Sequence, residues 1–139
     1  AVHRDLHSFP TRRSSDLAAA YSGRRFLWAP PGSPQSLQTA PAQGSAVFRF
    51  TVAAPGAYAI WGLVQAPNNA ADSFHAALAA VDGGSSRIWY TGIHPVWGWS
   101  RIFPAVELPA GEHALTIRPR ESGTRLGAVL VTDDVDLIP

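Results

Sequence analysis

The sequence predicts an all-β fold, a sandwich of two packed sheets, on three observations. Pro and Gly, 12 of each in 139 residues, recur at short intervals and cut the chain into runs of strand length. Within those runs apolar and polar residues alternate with period two, the mark of a half-buried strand. No segment sustains a 3.6-residue apolar period with a cap at each end, which a surface helix needs. Seven or eight short strands at this spacing close most readily as a sandwich with Greek-key or jelly-roll connections.

Taken in chain order, residues 26–29 make a short strand that stops at the Pro30-Pro31-Gly32 break. Residues 30–45 are rich in Pro, Ser and Gln and read either as a linker or as a long loop. Too little chain lies upstream to form another domain, so a loop crossing the sandwich is expected. Ala46–Val52 alternates cleanly, with Ala46, Phe48, Phe50 and Val52 on one face and Arg49 and Thr51 on the other. The turn Ala54-Pro55-Gly56 leads into a second strand over 57–64, with Tyr58, Ile60 and Gly62 on a common face. Together the two make a hairpin signal. Further strands are expected at 73–81, 87–90, 99–106, 113–118 and 126–132, separated by turns at Asp82-Gly83-Gly84, Pro109-Ala110-Gly111-Glu112 and Glu121-Ser122-Gly123. The segment 73–81 holds four alanines, which favour helix, but its length and its abrupt Asp-Gly-Gly end favour a strand.

Residues 3–17, HRDLHSFPTRRSSDL, resemble one reading frame of a widely used short-read sequencing adapter at all fifteen positions. The adapter ends on CT, which encodes leucine with any third base, so Leu17 is accounted for and an evolved sequence can resume at Ala18. Other readings of the segment are a basic arm built on Arg4, Arg12 and Arg13, or an Arg- and Ser-rich transit peptide. Ala1 and Val2 lie outside the match. We therefore expect residues 1–17 to be a disordered, adapter-derived tail and residues 18–139 to be one domain that lacks its native first strand. The edge of the sandwich that this strand would cover is expected to be open.

Without that tail the chain carries eight arginines, no lysine and eight acidic side chains. A formally neutral module is a poor partner for nucleic acid or an anionic membrane, both of which call for clustered cations. No apolar run reaches transmembrane length, so a water-soluble module without membrane insertion is expected. Arginine as the sole basic residue and abundant alanine suggest a high-GC bacterial genome. Zero cysteines exclude a disulfide scaffold and a thiolate metal site and leave the compartment open.

Four segments carry a family resemblance: 56–62 (GAYAIWG), Asp72-Ser73-Phe74, Val81-Asp82-Gly83-Gly84, and 120–126 (RESGTRL) followed by 129–134 (VLVTDD). In this order they resemble the galactose-binding-like β-jelly rolls of bacterial extracellular proteins, related to carbohydrate-binding modules of the CBM6 and CBM35 type. The resemblance spans about residues 20–139. It implies a non-catalytic accessory module of a larger multidomain chain, secreted, extracellular or periplasmic, with a polysaccharide or other glycan as partner. Such domains open with a strand bearing paired glutamates that help bind a structural calcium, and carry Leu-Asp at the start of the last strand. Here the adapter-like segment stands in the first place and Leu126-Gly127 in the second. Both changes remove oxygen ligands, which calcium needs in numbers of about six. No cofactor and no metal site are therefore expected.

Binding chemistry is sought first among the aromatics Trp89, Tyr90, Trp97 and Trp99, which share a stretch with Gly92, His94, Pro95 and Gly98. A pyranose presents a flat C–H face that stacks on indole and a rim of hydroxyls that wants amide or charged partners. Trp61, Trp99 and Phe103 read as core, whereas Trp89 and Trp97 are divided between core and a loop rim. The expected ligand contacts are stacking by Trp89 or Trp97, with Asn69, Asp72 and Arg101 bonding hydroxyls. Asp72 reads equally well as a turn cap. Arg118, Arg120 and Glu121 read as a surface ion pair, and Asp133, Asp134 and Asp136 as an exposed acidic tail. His75, His94 and His113 show no metal-ligand spacing, and no Ser sits in a nucleophile motif. Asp72 and Asp82 are the one conceivable glycosidase pair. Two further function classes therefore stand beside glycan binding: a structural or protein-interaction module, expected if all five indoles are buried, and a hydrolase, expected if two carboxylates converge in a cleft.

Overall fold

The computed structural model describes residues 25–42 and 44–139, together with the backbone of Val2–Asp5. Its strands are β1 (Val2–Asp5), β2 (Ala46–Val52), β3 (Gly56–Ala66), β4 (Ser73–Leu78), β5 (Arg87–Tyr90), β6 (His94–Leu108), β7 (Gly111–Pro119) and β8 (Arg125–Thr132). One sheet has the order β1-β2-β7-β4-β5 and the other β6-β3-β8. All pairings are antiparallel except β1 with β2. The all-β sandwich expected from the sequence is the observed fold.

The core lies where period-two patterning puts it. Phe48, Phe50 and Val52 of β2, Phe74, Ala76 and Leu78 of β4, and Leu115 and Ile117 of β7 face inward from the larger sheet. Ile60 and Val64 of β3 meet them from the smaller sheet, with Leu126, Val129 and Val131 of β8 beside them. The alanine-rich segment is a strand, as expected, though it ends at Leu78. Alanine serves here because Ala76 is fully buried between β7 and β5, and packing overrides helix propensity. The Asp82–Gly84 turn follows as a single 3₁₀ turn, with Asp82, Gly83 and Gly84 all at positive φ.

Two expectations are corrected. The outer edge of β2 is not open along Ala46–Arg49: Val2–Asp5 pairs with it in parallel, in the register Val2↔Ala46 to Asp5↔Arg49. The remainder of the expected disordered tail, residues 1 and 6–17, lies outside the described residues. A strand edge offers a row of backbone donors and acceptors that any extended segment within reach can satisfy, whatever its side chains. The stretch from His94 to Trp99 is likewise not a loop rim but the first part of the 15-residue strand β6. It holds Pro95 without penalty because β6 is an edge strand, and Gly98 because a Cβ there would lie 2.6 Å from the His94 ring.

Residues 30–42 run against the larger sheet as a loop, tied by side chains of β4 and β7 and of the turn after β7. His75 Nε2 lies 2.6 Å from the Ser36 carbonyl, Arg118 donates to Pro41 O at 3.2 Å, and Arg120 donates to Leu37 O at 2.9 Å. The Ser36 N–H returns a bond to Arg120 O.

Candidate functional site

The face of the smaller sheet that points away from the core carries a cluster of aromatics. Residues directly opposite one another in an antiparallel pair share a face, so the register assigns them. Leu63 stands opposite Trp99 on β6 and Ala128 on β8; Trp61 stands opposite Arg101 and Leu130; Gln65 stands opposite Arg125. Leu27 forms an isolated antiparallel bridge with Leu126, and both are packed with the core. Its neighbours Phe26 and Trp28 therefore turn outward, onto the face that Arg125 occupies.

There the side chains interlock. The Arg125 guanidinium carbon lies 4.7 Å from the Phe26 ring centroid and 4.7 Å from that of Trp28. The two rings meet edge to face, 5.3 Å apart at 86°. Arg125 also donates to Gln65 Oε1 at 3.0 Å, and Gln65 Nε2 donates to the Pro95 carbonyl at 3.0 Å. Trp97 reaches the same group, its ring centroid 6.1 Å from that of Phe26.

Beside this group opens a cleft of about 440 Å³. Trp28 and Pro31 form one side, and Gln65, Pro95 and Arg125 line it from the sheet. The remaining walls are the loop after β3, through Asn68, Ala70 and Ala71, and the turn before β8, through Ser122 and Gly123. The loop is braced by Asn68, whose Oδ1 accepts the Ala70 N–H at 2.9 Å and whose carbonyl accepts the Ala71 N–H. Gly123 adopts φ +91°, and its N–H donates to Ala29 O at 2.8 Å, which ties the turn to the segment bearing Trp28. A half-buried indole, two carboxamides and one cation, with no carboxylate among the lining side chains, is a lining suited to a neutral polyhydroxyl ligand: the ring takes an apolar face and the amides take hydroxyls. A second, smaller and mainly apolar space of about 240 Å³ is lined by Leu27, Trp28, Ala46, Phe74, Ile117 and Arg118.

Behind the cleft, Asp72 and Glu121 converge. The Asp72 carboxyl is held above its ordinary pKa, chiefly by desolvation and then by the neighbouring Glu121 side chain; Arg120 opposes the shift. The Glu121 carboxylate accepts from Ser73 Oγ and from the Asp72 N–H. Arg120 donates to Ser73 Oγ at 2.9 Å, lies 3.6 Å from Glu121 Oε1 and covers the Tyr90 ring at 5.1 Å.

This corrects the surface ion pair expected from Arg118, Arg120 and Glu121. The Arg120 and Glu121 side chains are only 13% and 10% exposed, because Ser73 and the loop at Leu37 close over them, and Arg118 bonds loop carbonyls instead. Asp72 and Asp82, the one conceivable glycosidase pair in the sequence, stand beyond opposite ends of β4, about 20 Å of strand apart. Asp72 and Glu121 meet instead through the Asp72 N–H, which donates to Glu121 Oε1 at 3.3 Å.

The five expected contact residues do not form one site. Trp89 is core: it is 3% exposed, stacks on Phe74 at 5.6 Å, and its indole N–H donates to Ser100 Oγ at 3.1 Å. It faces inward because β5 places it opposite inward-facing Phe74. Trp97 lies on the outer face, beside Phe26. Asn69 is exposed in the loop whose neighbour Asn68 lines the cleft. Arg101 stacks over Trp61 at 4.6 Å and donates to Val135 O; Trp61 precedes Gln65 by four residues on β3, so Arg101 sits about 13 Å along the strand from the cleft. Asp72 belongs to the carboxyl cluster. Trp61 and Trp99, read as core, sit half-buried on the outer face. Sequence reasoning missed Trp28, Phe26, Gln65 and Arg125. The one available sign was the Phe26-Leu27-Trp28 alternation, which puts two aromatics on the face opposite a core leucine.

No protein-family profile matches the chain, and no curated protein does. Solved structures do resemble it. A ruminal GH26 endo-β-1,4-mannanase superposes with a TM-score of 0.57 at 15% identity, covering 86% of this chain and 21% of that one. A Podospora anserina GH26-CBM35 β-(1,4)-mannanase superposes with a TM-score of 0.52 at 12% identity, covering 78% of this chain and 27% of that one. At such identities the likeness is one of fold, and the chain spans about a fifth to a quarter of the length of these proteins.

Proposed function

We propose that this chain is a non-catalytic glycan-binding module of a larger secreted bacterial protein, and that the ligand lies in the cleft against Trp28. The observation that carries the reading is the cleft lining itself, in which a flat indole stands beside the Gln65 and Asn68 carboxamides and the Arg125 guanidinium. The ring desolvates a sugar face while the polar groups take hydroxyls, the division of labour that a pyranose requires. Arg125 is restrained by two rings and an amide, so little side-chain order has to be gained on binding. Affinity is modest, as a small wet site implies.

The folds it resembles occur within β-1,4-mannanases, which makes β-1,4-mannan the first ligand to try. A purely structural role for the aromatics is disfavoured by their exposure: of the five indoles only Trp89 belongs to the buried set. Screening the chain against an array of plant, fungal and bacterial polysaccharides tests the proposal. Retention by at least one glycan class, weakened by Trp28→Ala, is the expected result; uniform failure across the array removes it.

A further inference from the structure

Tyr90 stands in the open and yet is held in place. It is 62% exposed at the end of the edge strand β5, and the Arg120 guanidinium lies over its ring, 5.1 Å from the centroid. Arg120 is itself fixed by Ser73 Oγ at 2.9 Å, the Leu37 carbonyl at 2.9 Å and Glu121 Oε1 at 3.6 Å. The cation covers one face of the ring and leaves the other to solvent. Ordering an exposed ring returns little to the fold, because little apolar surface leaves the water, whereas a ring ordered in advance is what a stacking contact needs. We propose that Tyr90 is a second stacking platform for the glycan in the Trp28 cleft, so that the module recognises a stretch of polysaccharide chain and not a single sugar; this rests on the reading of the cleft as the ligand site.

The backbone brings Tyr90 and the cleft within reach of one chain. Tyr90 is directly opposite Ser73, about 5 Å away between Cα atoms, and Ser73 follows the cleft-lining Ala71 by two residues, at most about 7 Å of chain. The Tyr90 backbone is thus within about 12 Å of the cleft wall, a span that a few linked pyranoses cover. Two segments lead from one to the other. The connection after β5 runs from Tyr90 to Pro95, and the loop after Ala29 runs from Pro31 to Leu37. Pro31 and Pro95 both line the cleft, while the Leu37 carbonyl is bonded to the guanidinium that covers Tyr90. The ground between the two ends is polar, with Asp72 and Ser122 each half-buried. It is also firm. The Asp72 N–H and Ser73 Oγ both donate to Glu121 Oε1, and Thr91 donates to the Asp72 carbonyl through its N–H at 2.8 Å and its Oγ1 at 3.0 Å. A chain leaving the cleft here meets hydroxyl and carboxyl oxygens with its hydroxyls and the free face of Tyr90 with its next ring.

Calorimetric titration with β-1,4-mannobiose and β-1,4-mannohexaose separates the two platforms. The disaccharide is short enough to stay within the cleft of about 440 Å³, and the hexasaccharide reaches beyond it. Wild type is expected to bind mannohexaose about fivefold tighter than mannobiose, the effect of one further stacking contact. Tyr90→Ala is expected to remove that advantage and leave mannobiose binding unchanged, whereas Tyr90→Phe, which keeps the ring, is expected to retain it. Trp28→Ala is expected to weaken both ligands. In proton spectra mannohexaose is expected to shift the Tyr90 ring resonances and mannobiose to leave them in place. Equal affinity of the wild type for the two ligands, a mannohexaose advantage that survives Tyr90→Ala, or a mannobiose affinity that falls as far as that of mannohexaose overturns the second platform and leaves the cleft reading intact. A loss in Tyr90→Phe as large as in Tyr90→Ala overturns it as well, since the ring is then not the contact. Failure of both oligosaccharides on the wild type, with the Tyr90 resonances unmoved, overturns the platform together with the mannan reading of the cleft.

Discussion

Trp89 and Gly62 face each other across the sandwich so closely that a Cβ on Gly62 would lie 2.3 Å from the Trp89 Cη2. The indole fills the space above the glycine, with Phe74 on one side and Ser100 Oγ taking its N–H. Gly62→Ala is therefore an overpacking substitution and should cost about 1–3 kcal/mol. Trp89→Ala, which opens a cavity instead, should cost about 3–5 kcal/mol. Denaturant midpoints measure both. A Gly62→Ala protein as stable as its parent contradicts the inward placement of Trp89.

The two ion pairs among the described residues should behave differently. Arg49 and Glu112 approach to 3.3 Å with side chains 47% and 66% exposed, so Glu112→Gln should cost no more than about 1 kcal/mol. Arg120→Ala strands the Glu121 carboxylate in a site that is 10% exposed, and should cost about 3 kcal/mol or more. Equal losses for the two variants would mean that the cluster behind the cleft is far more solvated than its contacts imply.

Stability should also respond to pH through Asp72. Its carboxyl holds a proton more tightly in the folded chain than at the ordinary value of 3.8, so across the interval between 3.8 and the raised pKa the folded state binds more protons. Stability from this group is thus fully present below 3.8 and is lost as pH rises through the raised pKa. The stability difference between the wild type and Asp72→Asn should follow that course in denaturation at several pH values. A difference that grows with rising pH has the wrong sign for this account.

What was legible in the sequence was what alternation encodes. Phe48, Phe50 and Val52 announce which face of β2 is buried, and Ser73 to Leu78 announces a strand despite its alanines. The cleft is a matter of register, which leaves no local trace. Gln65 meets Arg125 across 60 residues of sequence, and Trp28 joins them only because Leu27 bridges Leu126. The Trp89 to Trp99 stretch misled for a physical reason. Gly92, Pro95 and Gly98 punctuate it like a loop, yet Pro95 falls on an edge strand and Gly98 makes room for His94. Asp72 reads in the sequence as a hydroxyl contact or a turn cap, and its neighbour Glu121 lies in a turn that reads as an ordinary charged surface.

The central claim is that Trp28 forms the stacking wall of a glycan site. Calorimetric titration with the best ligand from the polysaccharide screen, beginning with β-1,4-mannohexaose, tests it on three proteins: wild type, Trp28→Ala, and Arg49→Ala on the opposite sheet. The account predicts saturable binding that falls about tenfold or more in Trp28→Ala, equivalent to about 1.4 kcal/mol, and is unchanged in Arg49→Ala. A folded Trp28→Ala protein that binds with wild-type affinity would contradict it.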